Sequence, residues 1–367
     1  MKLIIQILIS IFIFTGCTTL PEPQKVQAPI TSSYKVEKKI KKEETQKLTK
    51  IVVPVEVPVK TNEIAIVFPS STIGQYALEA TNSINTYLLY KNKPFKLSVM
   101  DIITTTKENI LKVFDDIKSK NITKVIVMLT TNELYLLKEI EDIGNIQIYL
   151  PLINKYELDN INTFENLNIL YGAISYKEQF KTLLTYVNGE ALAELYDNSI
   201  MGNILHSYLT NENTVYSKKV DDNNGRYKSF LTDNEKIENT VIVLNTPIIK
   251  SSILLSAFTA EELNVSKVIS TQLNYTPLLF SLTQKIDREK LIVANSIGEI
   301  PSELNEHNNL ISNNMSYSWV NYAVIVGAEY LISDNIELFK DLSIEENQVI
   351  YPVKLYKVSG NSFDLIK

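Results

Sequence analysis

From residue 62 onward the chain alternates between two patterns of apolar and polar positions. Short continuous apolar runs bounded by turn residues occur at IAIVF (64–68), FKLSVM (95–100), KVIVML (124–129), IQIYL (146–150) and NILYGAI (168–174). The segments between them have helical period: Ile73, Ala77, Ala80, Ile84 and Leu88 fall on one face, as do Ile110, Phe114 and Ile117. The pattern then restarts, with apolar runs at 191–196, 214–220, 240–245, 266–271 and 291–296. Helical segments fall near 200–211, 224–238, 248–263, 276–288, 301–313 and 318–333. Strands apolar throughout are buried on both faces, which calls for a parallel sheet with right-handed helical crossovers. The tail, QVIYPVKLYKVSGNSFDLIK, reads as a β-hairpin turning at Ser359-Gly360-Asn361. The expected fold class is α/β, with two doubly wound (Rossmann-like) parallel-sheet lobes and a ligand cleft between them.

The first 61 residues follow neither pattern. MKLIIQILISIFIFTGCTTLPEP places about a dozen mostly apolar residues after Lys2, short of the roughly 20 that span a bilayer and fitting a signal-peptide core. Cys17 is the only cysteine in the chain, so it has no disulfide partner within it and no metal-ligand spacing. With small Thr15 and Gly16 before it, FTGC resembles the lipobox of a bacterial lipoprotein signal, although Phe14 stands where leucine is usual. The resemblance implies cleavage after residue 16 and lipidation of Cys17, and more than one acyl chain makes a stable membrane anchor. Thr18, where inner-membrane lipoproteins often carry aspartate, points to the periplasmic face of the outer membrane. An ordinary secretory signal with a chance cysteine is the other reading.

Residues 18–60 carry prolines at 21, 23, 29, 54 and 58, no glycine, and nine lysines against five acidic residues, a net charge of +4. That composition predicts an extended, disordered tether, averaging roughly 35 Å end to end and reaching over about 100 Å when stretched. Its lysines are either a solvated face or an attraction to anionic headgroups or cell-wall carboxylates. With these and Lys2 set aside, 26 basic and 37 acidic residues remain, a net charge of −11 that speaks against nucleic acid as a partner. The expected organisation is a signal peptide at 1–16, the lipidated cysteine and tether at 17–61, and the α/β domain at 62–367. Within that domain lobe one takes about 62–174 and 298–342, and lobe two about 175–297 and 343–367.

Enzyme signatures are missing. No G-x-x-x-x-G-K-[ST], G-x-G-x-x-G or G-x-S-x-G occurs, and ten glycines leave little for phosphate-cradling loops. Ser32-Ser33-Tyr34-Lys35 has a serine–lysine spacing but lies in the tether without a K-T-G partner. His206 sits beside Leu205 and Tyr208 and reads as a packed or rim residue, about a hundred positions from His307. Asp115-Asp116, Asp221-Asp222 and Glu345-Glu346 read as solvated pairs. A non-catalytic protein without cofactor or metal is expected.

Ligands of two-lobed α/β proteins bind at the carboxyl ends of strands, where helix N-termini offer free N–H groups. The candidate residues there are Ser70, Ser71 and Thr72, then Thr130, Thr131 and Asn132, from the first lobe. The second lobe supplies Asp197, Asn198, Asn245 and Thr246, with Asn295 and Ser296 on a crossover. Asp197 is the one acidic residue of the set and the candidate partner for an ammonium group. Serine, threonine and asparagine also cap helices, which accounts for these positions equally well. The set suits a small polar ligand without naming one.

The order of lobes, strands and helices resembles a type I periplasmic binding protein of the branched-chain amino-acid receptor class, and the resemblance implies that the chain crosses between lobes near 172–176, 295–300 and 340–350. IAIVFPSSTIGQYALEATNSI is similar to that family's first strand, turn and long helix; Gly74 matches its glycine, and Ser70-Ser71 stand where Ser-Gly is usual. ELYDNSIMGNILHSYL is similar to the strand and turn that open the second lobe, with Asp197, Met201 and Gly202 fitting. WVNYAVIVGAEYLI resembles the late tyrosine-rich helix, and TPIIKSSILLSAFTAEELNVSKVISTQLNYTPLLF looks like the penicillin-binding-protein activator lipoproteins. The resemblance implies an envelope lipoprotein that regulates cell-wall (peptidoglycan) synthesis by binding a protein partner, a peptidoglycan synthase or another envelope protein. Where some of those activators carry a helical-repeat domain this chain has its tether, so contact with one particular synthase does not carry over. The alternative is a receptor for a small polar ligand, such as an amino acid or peptide, in import or sensing. Separately, Glu262-Leu263-Asn264-Val265-Ser266 matches the acidic-x-Asn-x-Ser acceptor of bacterial N-glycosylation, on an expected surface turn.

Overall fold

The computed structural model describes residues 61–140, 143–158, 164, 167–209, 213–220, 227–232 and 234–367. Cys17, Thr18, the signal sequence, the tether and Asp221-Asp222 lie outside the described residues. The first lobe runs β1 (Asn62–Phe68), α1 (Ser70–Tyr90), β2 (Phe95–Asp101), α2 (Lys107–Ser119), β3 (Lys124–Val127), α3 (Thr131–Leu134), β4 (Gln147–Leu150) and β5 (Ile169–Tyr171). The second runs α4 (Tyr176–Val187), β6 (Leu192–Tyr196), α5 (Ile200–Tyr208), β7 (Thr214–Lys219), α6 (Lys228–Leu231), β8 (Val241–Asn245), α7 (Ile248–Ala260), β9 (Lys267–Ser270), α8 (Leu278–Leu282) and β10 (Leu291–Asn295). The chain then returns with α9 (Ser302–Leu310), α10 (Trp319–Ser333), β11 (Ser343–Glu345) and β12 (Gln348–Ile350), and ends in β13 (Lys354–Ser359) and β14 (Ser362–Leu365).

These strands form two seven-stranded sheets, ordered β11-β12-β5-β4-β3-β1-β2 and β14-β13-β10-β9-β8-β6-β7. β1 to β5 pair in parallel, as do β6 to β10, and the late strands add antiparallel edges. The order reverses beside β1 and beside β6, which makes each sheet doubly wound, as the alternation predicted. Helix faces follow the apolar spacing. α2 buries Ile110, Val113, Phe114 and Ile117, and Thr106 caps it by accepting from the Asn109 amide at 3.2 Å. Deleting the Phe114 ring would cost about 3–5 kcal/mol. α9 and α10 pack back onto α1, and buried Glu329 of α10 holds Lys91 at 3.0 Å and accepts from the Tyr87 hydroxyl. No helix among the described residues is long and apolar enough to cross a membrane.

Three expectations change. Residues 343–350 were assigned to the second lobe, yet β12 pairs with β5 and extends the first sheet. The third crossing is therefore at 351–353, just past the expected 340–350. Three-residue strands carry little pattern, β11 lies on the surface, and its hairpin turns on Glu346 and Asn347 at φ 46° and 65° without a glycine. The hairpin at the end of the chain does turn at Gly360-Asn361, but it comprises β13 and β14 alone. The helix expected over 276–288 stops at Leu282. Thr283 is extended, and its carbonyl accepts from the Arg288 guanidinium instead of continuing the helix. Of the helix expected near 224–238, the described residues contain α6.

Candidate functional site

β1 ends directly in α1, so Ser70, Ser71 and Thr72 stand at the carboxyl edge of the first sheet, as expected. The Ser70 amide donates to Asp101 Oδ1 at 3.1 Å, and the Ser71 amide to the Ile103 carbonyl at 2.9 Å. Thr72 Oγ1 donates to Glu133 Oε1 at 3.1 Å. Glu133 gathers the site. It also accepts from Thr105 Oγ1 at 2.7 Å and from the amide and hydroxyl of Thr130, both at 2.8 Å. Burial pushes the Glu133 carboxyl up, but these hydrogen bonds together outweigh it and hold the group below the usual range. Thr131 and Asn132 are exposed in the first turn of α3. Sequence reasoning missed Glu133, although Thr130-x-x-Glu133 is a capping box legible in the sequence.

In the second lobe the polar candidates are mostly buried and paired within the lobe. Asp197 is 5% exposed; Lys250 Nζ reaches its Oδ2 at 3.0 Å and Ser199 Oγ its Oδ1 at 2.6 Å. Burial opposes the charge on Asp197, but the bonds from Ser199 and Lys250 outweigh it and lower the pKa. Gly202 permits the turn, since a Cβ there would lie 2.3 Å from Asp197 Oδ1. Asp197 was the expected ammonium partner, and the structure shows it already neutralised. Asn198 is exposed, and its carbonyl accepts from Asn203 at 3.4 Å. Asn245 Nδ2 donates to buried Glu194 at 2.8 Å, and the Thr246 and Ser251 hydroxyls meet at 2.7 Å. Asn295 closes a local turn with Ile297, while Ser296 is held by Gln179 at 3.0 Å and Gln272 at 2.8 Å. His206, stacked on Tyr196, meets Glu194 at 2.7 Å from the rim.

What remains at this edge is of two kinds. Asn245 Oδ1, Thr271 Oγ1, Gln272 Nε2 and Asn274 Oδ1 are buried at the ends of β8 and β9 with no hydrogen-bond partner. Native proteins rarely leave such atoms unpaired, so they suit water or a small polar guest. The second kind is apolar. The helices that start here expose Ile200 (83%), Ile249 (65%) and Leu278 (53%) in their first turns. None of the twelve sequence-chosen residues lines a described cavity. One of about 460 Å³ instead lies at the crossings, between Asn154, Glu157, Ser175, Lys177, Tyr351 and Pro352. Asn264 is exposed in the turn after α7, its side-chain amide donating to Asn239 at 2.8 Å.

No family model matches the chain, and no curated protein does. Among solved structures, a branched chain amino acid ABC transporter from Thermus thermophilus with bound valine is similar, with TM-score 0.59, 15% identity, and coverage of 84% of this chain and 96% of that one. The branched-chain amino acid transporter substrate binding protein LivJ from Streptococcus pneumoniae, in complex with isoleucine, gives TM-score 0.57, 11% identity, 84% and 100%. LpoA of Haemophilus influenzae gives TM-score 0.56, 9% identity, 84% of this chain and 59% of that one. The chain therefore has the fold of the type I periplasmic binding proteins, as the order of its elements predicted.

Proposed function

We propose that this chain is a non-catalytic envelope lipoprotein whose binding-protein-like domain docks a protein partner in the regulation of peptidoglycan synthesis. The observation that carries the reading is the ion pair of Asp197 with Lys250 at 3.0 Å, both nine-tenths buried. An amino-acid receptor needs a carboxylate with unused charge for the ammonium group; Asp197 has none to offer, and Glu133 already accepts four hydrogen bonds from Thr72, Thr105 and Thr130. The exposed Ile200, Ile249 and Leu278 at the same edge suit a protein surface better than a polar solute. The sequence resemblance to penicillin-binding-protein activator lipoproteins and the likeness in fold to LpoA support the same reading. Lipid on Cys17 holds the domain at the outer membrane, and the tether gives it reach.

Two measurements test this. Amino acids, dipeptides and muropeptides should leave the melting temperature of the purified chain unchanged, whereas a true ligand at a hundredfold excess over its Kd adds about 2.7 kcal/mol. The host's peptidoglycan synthases, purified singly, should include one that binds the chain and binds Ile200→Glu less well. Absence of binding to every synthase overturns the cell-wall assignment. A palmitate analogue should label the wild type and not Cys17→Ala; label on the alanine variant removes the anchor.

The four unpaired buried atoms favour a second reading, a receptor for a small polar ligand. A melting shift with an amino acid that disappears in Thr271→Val would establish it in place of the first.

A further inference from the structure

α7 breaks the rule for a surface helix. Its sequence, IIKSSILLSAFTA, holds one charged residue, Lys250, and that side chain is buried against Asp197. Leu254, Leu255 and Phe258 fill the core beneath it, while Ile249 and Ile253, one turn apart, are 65% and 48% exposed. Lys250, Ser251 and Ser252 are buried while Ile249 and Ile253 face out, the reverse of the polar-outside arrangement of a surface helix. Beside it α8 exposes Leu278 and Leu282, again one turn apart, and the turn at 286–288 exposes Ile286. Both segments pack against α7. Asp287, the acid between them, is engaged by Ser256 Oγ at 2.8 Å and the Gln284 amide at 2.9 Å.

We propose that the outer face of α7 and α8 is the docking site for one amphipathic helix of a partner protein, seated through an uncharged aliphatic stripe. The proposal rests on the protein-partner reading above and names where and by what that partner is held. The outward stripe of α7 runs Ile249, Ile253, Ala257, Ala260, large residues followed by small ones, at the spacing by which two helices interdigitate. A second copy of this chain is the poorer occupant on two counts. Five exposed aliphatic side chains fall well short of the roughly 800 Å² and 20–30 residues per partner of a stable dimer. Two domains each of net charge −11 also repel. A single helix needs little more than anchors at i and i+4. The α7 stripe carries no charge and Lys285 is exposed beside Ile286, so the matching partner face is aliphatic along α7, with its basic residues turned outward over the acidic domain.

The test uses the full chain and a fluorescent model peptide of leucine, glutamine and lysine, with leucine on one helical face. Saturable anisotropy is expected, weakened about tenfold or more by Ile249→Ser with Ile253→Ser, the loss of two anchors. Leu78→Ser, 64% exposed on the other lobe, should leave binding unchanged, and equal melting temperatures verify that the variants fold. No saturable binding, or equal binding by the double variant, overturns the proposal. A dimer in sedimentation that the double variant dissolves assigns the face to a second copy. Vesicle binding by Cys17→Ala that the double variant abolishes assigns it to lipid. A synthase still bound by the double variant and lost in Ile200→Glu removes this face while the protein-partner reading stands.

Discussion

The Tyr351 hydroxyl donates to the Gly172 carbonyl across 2.7 Å, tying the third crossing between the lobes to the first. Tyr322 engages the second crossing, where a Cβ on Gly298 would stand 2.8 Å from its hydroxyl. Tyr149 completes the cluster, donating to the Ala323 carbonyl at 2.8 Å and lying 3.5 Å from the Tyr351 hydroxyl. All three rings are buried, and together they tie the three crossings to the first lobe. Tyr351→Phe removes a buried donor and should cost about 1–3 kcal/mol in urea unfolding. Gly172→Ala drives a Cβ to 2.0 Å from the Tyr149 hydroxyl and should lie at the top of that range or above. Spin labels on Lys118 and Lys236 should report one narrow distance in the wild type and a broader one in Tyr322→Phe with Tyr351→Phe. A distance unchanged in that variant would mean that packing, not these bonds, sets the angle.

The ion pair at the mouth of the second lobe predicts strong coupling. Asp197→Ala leaves the Lys250 ammonium buried without its carboxylate, a change that costs about 3–5 kcal/mol. Adding Lys250→Met should recover part of that loss, and a double-mutant cycle in urea measures the coupling. Additive losses would show that the two side chains act independently. A ligand assay based on Asp197→Ala alone would report unfolding, so the double variant is the proper control.

Acid should weaken the fold through the same groups. Asp197 and Glu133 are both held below the ordinary carboxyl range, so the folded chain binds these protons more weakly than the unfolded one. Their contribution is complete above the unfolded value of about 4 and is lost as pH falls through the lower folded values. The urea midpoint should therefore drop between neutral pH and pH of about 3, and drop less in Asp197→Ala with Lys250→Met. An equal drop in that variant would place the acid sensitivity elsewhere.

The strands and helices were legible because doubly wound sheets bury their strands on both faces and write unbroken apolar runs. Crossings near 172–176 and 295–300 were implied by the family resemblance, and the two sheets divide their strands between Tyr171 and Leu192 and between Asn295 and Ser343. The third was placed too early, since β11 and β12 are three residues long and turn on Glu346 and Asn347, which look like solvent-facing positions. The site was legible in residue type and not in pairing. Asn245 was chosen for a ligand, yet its amide goes to Glu194, 51 residues earlier and on the neighbouring strand. Thr130 with Glu133, Asp197 with Ser199 and Asn295 with Ile297 pair locally enough to be read. The bare face of α7 was written plainly, as thirteen residues with one charge.

The tether yields the last prediction, from composition alone. Its spaced prolines and lysines point to a spacer that acts through length, so scrambling residues 21–60 at constant composition should preserve function. Deleting some thirty of its residues leaves about thirteen, which extend at most about 40 Å at polyproline rise. A partner beyond the peptidoglycan then falls out of reach, whereas a receptor that releases its solute to diffuse loses nothing. Complementation of the null strain, with protein levels verified by blot, separates the cases. Loss in the scramble at normal abundance would mean that the tether carries a recognition sequence. Full activity of the deletion would remove the need for reach, and with it the role of the tether in the partner-docking reading.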